Sequence, residues 1–261
     1  MLSKLLKHEF KATARLLLPL YLVLFVLTIV DRLVLSLELK GTLGLITGFA
    51  TFAYVISILA IAVVSFVIII SRFYKNLLTD EGYLMFTLPV KPHQLINSKI
   101  IVSFVWNIVS VLLILLSLFA LFITKERFRL FVDGFDMIIA EIRLEFGAAN
   151  MTLFIIEFIA LMVLGIINGI LMIYVSIAVG QLFNGHKVLG SFAAYIGINT
   201  VLQILVSVAL VLLGFMFKTS LDDARAVPQI VFPLSIAYTL ITNVLFYFGT
   251  NIIFKKKLNL E

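Results

Sequence analysis

The chain has 261 residues, 62% of them hydrophobic and 13% charged, with a formal net charge of +6. A soluble domain carries about 25% charged residues to cover its surface, so this composition excludes one and indicates an integral membrane protein. The sequence contains no cysteine, which excludes disulfide frameworks, thiolate metal sites and cysteine-linked lipid anchors.

Inside hydrocarbon every backbone polar group must be bonded within a helix or a closed barrel. A barrel would alternate apolar and polar residues in segments of about ten, and no such alternation is present. Continuous apolar runs instead predict an all-α membrane protein. Each run matches the about 20 helical residues that cross the bilayer core, and together they give six spans at 16–37, 46–71, 99–123, 151–180, 189–215 and 231–254. With no internal repeat or low-complexity linker, residues 1–261 read as one transmembrane domain.

The chain opens with "MLSKLLKHEFKATAR". At helical periodicity Lys4, Lys7, Lys11 and Arg15 fall in one arc, with Leu2, Leu5, Leu6 and Phe10 opposite. Residues 1–15 are therefore expected to form an amphipathic helix in the membrane interface. Glu9 lands on its apolar side and is expected to find a partner in another chain. The apolar run "LLLPLYLVLFVLTIV" is followed by "DRLVLSLELK" without a small-x-small cleavage pattern, so the first span reads as uncleaved.

Between the second and third spans, residues 72–98 form a polar loop centred on "DEGYLMFTLPVKP". Thr79, Asp80 and Glu81 suit a helix start, through a capping hydroxyl and two carboxylates near the positive end of the helix dipole. Pro89 disfavours helical geometry in the residue before it, and Pro92 suits the first turn of the next helix. A helix of about two turns is predicted at 80–87, held by a stiff "LPVKP" connector. Tyr83, Leu84, Met85 and Phe86 would expose apolar surface that a partner protein could bury, with Asp80, Glu81 and Lys91 as a polar rim.

Beyond the third span, residues 124–150 make the longest loop on the other side. Ile138, Ile139, Ile142 and Phe146 repeat there at helical spacing, predicting a surface helix. Within the fourth span Glu157 is an acid inside an apolar run, the kind of group that tends to face a cavity or partner. Asn168, Asn199, Gln203 and Asn243 are expected to make interhelical hydrogen bonds. Gly165 and Gly169 form a GxxxG pair that lets a helix approach closely, within the chain or across a dimer seam.

Twelve of the 20 lysines and arginines fall on the side of the N-terminus, the 72–99 stretch, the fourth loop and the C-terminus. This bias places both termini in the cytoplasm. The surplus positive charge then reflects topology and contact with anionic membrane lipid, without nucleic acid as a partner. His8, His93 and His186 form no HExxH pair and no G-x-S-x-G elbow occurs, so neither a metal site nor a catalytic set is expected. "GQLFNGHKV" spaces Gly180, Gly185 and Lys187 almost as a phosphate loop does, but the lysine is one residue late and Val188 replaces the magnesium-binding hydroxyl.

"NLLTDEGYLMFTLPVKPHQLINSKII", together with "YVSIAVGQLFNGHKVLGSFAAYIGINTVLQI", resembles the permease subunit of Gram-positive ABC-2 type exporters, over the whole topology and most specifically in residues 76–100. The resemblance implies a bacterial cell-membrane subunit that pairs with a second permease copy or paralogue and with a separate cytoplasmic ABC ATPase. ATP and magnesium would be bound by that partner, and this chain would hold no cofactor. It also implies that residues 1–15 are an elbow helix. Asp80, Glu81, Gly82, Tyr83, Leu84, Met85, Phe86 and Thr87 would form the coupling helix that enters the ATPase. Members of the wider family often carry a re-entrant structure between the last two spans, whereas here the long outer segment lies between spans three and four. The alternative reading is a stand-alone secondary carrier or channel coupled through Glu157.

Overall fold

A computed structural model describes residues 2–37, 44–78, 92–122, 124–183, 185–216 and 227–256. Among them are seven α-helices: α1 Leu2–Ser36, α2 Gly44–Leu78, α3 Pro92–Phe122, α4 Lys125–Phe146, α5 Ala148–Gly180, α6 Lys187–Met216 and α7 Phe232–Lys256, the last preceded by a π-helical turn, Val227–Val231. All but α4 are long and apolar enough to span a membrane. The chain is a multi-pass, all-α membrane protein, as its apolar runs predict.

The amphipathic N-terminal segment extends the first span as one helix and does not stand apart as an interfacial element. No breaker separates residues 15 and 16, and Pro19 lies inside α1, where neighbouring helices and local adjustment make a proline tolerable. Lys4, Lys7, Lys11 and Arg15 are exposed along one face, as expected. The opposite face is anchored to protein rather than to the membrane surface.

The fold divides into two compact units. The first comprises residues 1–73 and 94–133, the second residues 74–93 and 134–261.

In the first unit α1 buries Glu9, Thr13, Leu17, Tyr21, Leu24, Thr28 and Asp31. Spacings of three and four residues bring all of these to one side of a 3.6-residue helix. Leu17, Tyr21 and Leu24 meet Tyr54, Ile61 and Ile68 of α2 and Leu121 of α3 in an apolar core, with Trp106 packed against it. Polar rungs set the register. Tyr21 and Ser65 both bond Ser110, at 2.7 and 3.2 Å, and Tyr54 bonds Ser117 at 2.9 Å. Thr51 donates to Asp31 Oδ1 at 2.9 Å, and Arg32 donates to the Ala120 carbonyl. Bonded positions rise together along α1 and α3 and run oppositely along α2, so the helices are ordered up, down, up. The end of α2 and the start of α3 therefore share the end of the bundle where α1 begins.

In the second unit α5 packs against both α6 and α7. Asn168 Nδ2 donates to Thr242 Oγ1 and Asn243 Oδ1 at 2.8 and 2.9 Å, and Asn243 donates in turn to the Leu164 carbonyl at 3.2 Å. The interhelical role expected of Asn168 and Asn243 is present. Asn199 and Gln203 differ: both are exposed on α6 and have no hydrogen-bond partner among the described residues. Phe154 stacks on Phe146, Phe158 and Phe232 with ring centroids 5.0, 6.1 and 5.3 Å apart, tying the start of α5 to the end of α4 and the start of α7. The helix expected in the outer segment is α4. It exposes Leu130, Phe131, Met137 and Leu144 and partly buries Ile139, Ile142 and Phe146.

The near-phosphate-loop glycines serve the turn from α5 to α6. Gly185 has φ +91°, a backbone region that side chains disfavour. Gly180 abuts Ser191, whose Oγ and N would lie 2.0 and 2.5 Å from an added Cβ. By contrast, a Cβ at Gly197, in the middle of α6, would meet nothing within 4 Å. Gly180→Ala should therefore destabilise the protein by about 1–3 kcal/mol through overpacking, and Gly197→Ala should be neutral or mildly stabilising. Thermal unfolding of the two variants in detergent, compared with the parent, checks the contrast.

Candidate functional site

Where α1, α2 and α3 converge at the N-terminal end of the first unit, three charged side chains meet. Glu9 lies on the buried stripe of α1, Arg72 comes from the last turns of α2, and Lys99 lies two turns into α3. Lys99 Nζ donates to Glu9 Oε1 at 2.5 Å, and Arg72 Nε stands 3.9 Å from Glu9 Oε2. The Lys99 and Glu9 side chains retain 4% and 9% of their exposure and that of Arg72 23%, so little water screens them. The partner expected for Glu9 in another chain is thus found in its own. The helical stripe turns Glu9 toward α2 and α3, where two cations from flanking helices receive it.

A second layer backs the ion pair. Trp106 Nε1 donates to Thr13 Oγ1 at 2.7 Å, and Thr13 Oγ1 donates to the Glu9 carbonyl at 2.8 Å. Trp106 also faces Phe10 and Tyr21, with ring centroids 6.3 and 6.0 Å away. The indole thus spans the step from the charged layer to the apolar core. Next to Glu9, Arg72 and Lys99 lies a small cavity of about 20 Å³, walled further by Thr13, Ser65, Ser103, Trp106 and Asn107.

Sequence reasoning missed this junction and also Asp31. That acid sits inside α1 with only 1% exposure, one oxygen bonded to Thr51 and the other enclosed without a partner. One signal was available. Ser103, Ser110 and Ser117 recur every seven residues along α3 and all are buried, so polar periodicity marks the packed face.

The other expected residues are placed as follows. The predicted coupling helix at 80–87, with Tyr83 and Phe86, and Pro89 lie outside the described residues; Pro92 is the first residue of α3. Glu157 lies in α5, partly exposed, with Oε2 enclosed and without a hydrogen-bond partner. Gly165 and Gly169 are exposed, and a Cβ at either would meet nothing within 4 Å. Among the described residues they therefore give no close helix approach, and it is the Asn168 face of α5 that meets α7. Among the described residues no cluster of three or more metal-ligating side chains occurs.

Two further hollows exist. A groove of about 520 Å³ runs between α1 and α3, lined by Leu24, Phe25, Leu113, Leu116 and Phe119 with Arg32 beside it. Another of about 390 Å³ is bounded by Tyr74, His186 and Lys187 in the second unit. Neither brings together an acid, a base and a nucleophile.

Removing one member of a buried ion pair strands the other charge, a loss of about 3–5 kcal/mol, whereas replacing both members by apolar groups can be nearly neutral. Glu9→Gln should accordingly lower stability strongly, and the Glu9→Gln/Lys99→Met double variant should recover much of the loss. Thermal unfolding in detergent reads both, and additive losses would contradict direct coupling.

Comparison with family models, with curated proteins and with solved structures finds no match to this chain.

Proposed function

We propose that this chain is the membrane-spanning subunit of an ATP-driven exporter of the ABC-2 type, powered by a separate cytoplasmic ATPase and paired with a second permease copy or paralogue. The observation that carries the reading is the clamp at the end of the first unit. The segment with coupling-helix character connects α2 to α3, and these are the two helices that Glu9 ties to each other and to α1 through Arg72 and Lys99. A push on that segment would enter both helices at the point where they are joined by charge. The connector prolines, by fixing backbone angles, would limit loss of motion before it reaches them.

The end of the bundle that carries the clamp also carries Lys4, Lys7, Lys11 and Arg15, exposed on α1. Basic residues favour the cytoplasmic face, where an ATPase would be. Cargo would be hydrophobic or amphipathic, such as a peptide, antibiotic or lipid. The apolar groove between α1 and α3, with Arg32 beside it, offers surface of that character.

A second reading, a stand-alone carrier or channel using Glu157, draws on that residue's enclosed and unpartnered carboxylate oxygen. Proton-linked uptake by the purified chain alone in liposomes would favour it.

The exporter reading is tested at the coupling segment. Tyr83→Asp and Phe86→Asp should reduce ATPase retention on affinity-purified permease at least tenfold while leaving the permease folded and membrane-inserted. Undiminished retention would overturn the reading.

A further inference from the structure

We propose that the outward face of α6, centred on Asn199 and Gln203, is a seam between two copies of this chain, closed by reciprocal amide hydrogen bonds at mid-membrane depth. The first ground is depth. In the 30-residue α6, Asn199 lies about 18 Å from the first residue and Gln203 about 20 Å from the last, at 1.5 Å per residue. Both side chains therefore stand at the level of the acyl chains, which offer no hydrogen bond. Both are exposed, and among the described residues neither has a hydrogen-bond partner. An amide left bare in an apolar medium is costly. Asn168 and Asn243, also inside spans, avoid that cost by bonding between α5 and α7.

The second ground is the face itself. Ser191, Ala194, Tyr195, Ile198 and Leu202 form a partly covered stripe along α6. Asn199 and Gln203, one turn apart, point away from it. Phe192, Ile196, Val206 and Leu210 extend the same outward face at helical spacing, and all four are exposed.

The third ground is self-complementarity. A side-chain amide carries both donors and an acceptor. A back-bond to the helix's own carbonyl, as Asn150 makes to Phe146, uses one N–H and leaves the amide oxygen bare. A facing amide serves both. Across a two-fold axis normal to the membrane, a second copy presents the same two amides at the same depth; any other partner would need that spacing by coincidence. No charged residue lies between Val188 and Met216, so nothing on this face repels its own copy. Such a seam would join the two permease copies of the exporter reading. ATPase retention at the coupling segment does not depend on it, so the two tests can fail separately.

The sequence contains no cysteine, so a single introduced thiol can form a disulfide only between two chains. Ile196→Cys and Leu210→Cys leave both amides intact and lie on the proposed seam. Val201→Cys, near the same depth and equally open, lies on the far side of α6. With the full chain in membranes and copper phenanthroline as oxidant, the first two should yield at least tenfold more disulfide-linked dimer than Val201→Cys. Adding Asn199→Leu and Gln203→Leu to Ile196→Cys should lower the yield to the Val201→Cys level. Cross-linking no greater than at Val201→Cys means that lipid or the chain itself covers the face, and overturns the proposal. A yield undiminished by loss of the amides overturns it as well. So does rapid reaction of Asn199→Cys with a membrane-impermeant maleimide, which would place the amides in a water-filled passage.

Discussion

Glu9 carries one negative charge into a membrane bundle and there holds two positive ones. A buried ion pair is not a dependable source of net stability, because desolvation offsets much of the attraction. What it does supply is position: a carboxylate that must meet Lys99 and lie near Arg72 allows very little sliding of α1 along α2 and α3. The remaining rungs, from Thr13 with Trp106 to Asp31 with Thr51, are each modest, interhelical hydrogen bonds in membranes averaging about 0.6 kcal/mol. They share one register with the charged junction across all three helices.

The fold class was legible because a membrane span announces itself by length and apolarity alone. The packing was not, and the reason is physical. In water the buried face of a helix is its apolar face, so hydrophobic periodicity finds the core. In lipid both faces are apolar, and the buried stripe of α1 is the more polar one, with Glu9, Thr13, Thr28 and Asp31 on it, while Leu18, Leu22, Phe25 and Leu33 are exposed. Sought by hydrophobicity, Glu9 looked like a flaw in an amphipathic pattern. The same inversion concealed Asp31, an acid that lies inside the predicted span 16–37.

Asn168 and Asn243 were legible because amides inside a span have few satisfactory fates other than each other. Gly165 and Gly169 satisfied a motif whose spacing is necessary but not sufficient, since a close approach also needs a partner helix on that face. Gly180, passed over as part of a failed phosphate loop, has the tightest surroundings of any described glycine. Spacing between glycines was informative, but about a turn between helices rather than about a nucleotide. The bundle end that is fixed by charge is the end where α2 finishes and α3 begins.

The first two helices have 35 residues each, about 52 Å at 1.5 Å per residue, against a hydrocarbon layer of about 30 Å. Some 20 Å of each rod must therefore tilt or stand outside the acyl region. The rungs oppose sliding of one helix along another, so a mismatch in length with the bilayer would be met by tilt of the three helices together. Acyl-chain length would then set the common tilt of these helices.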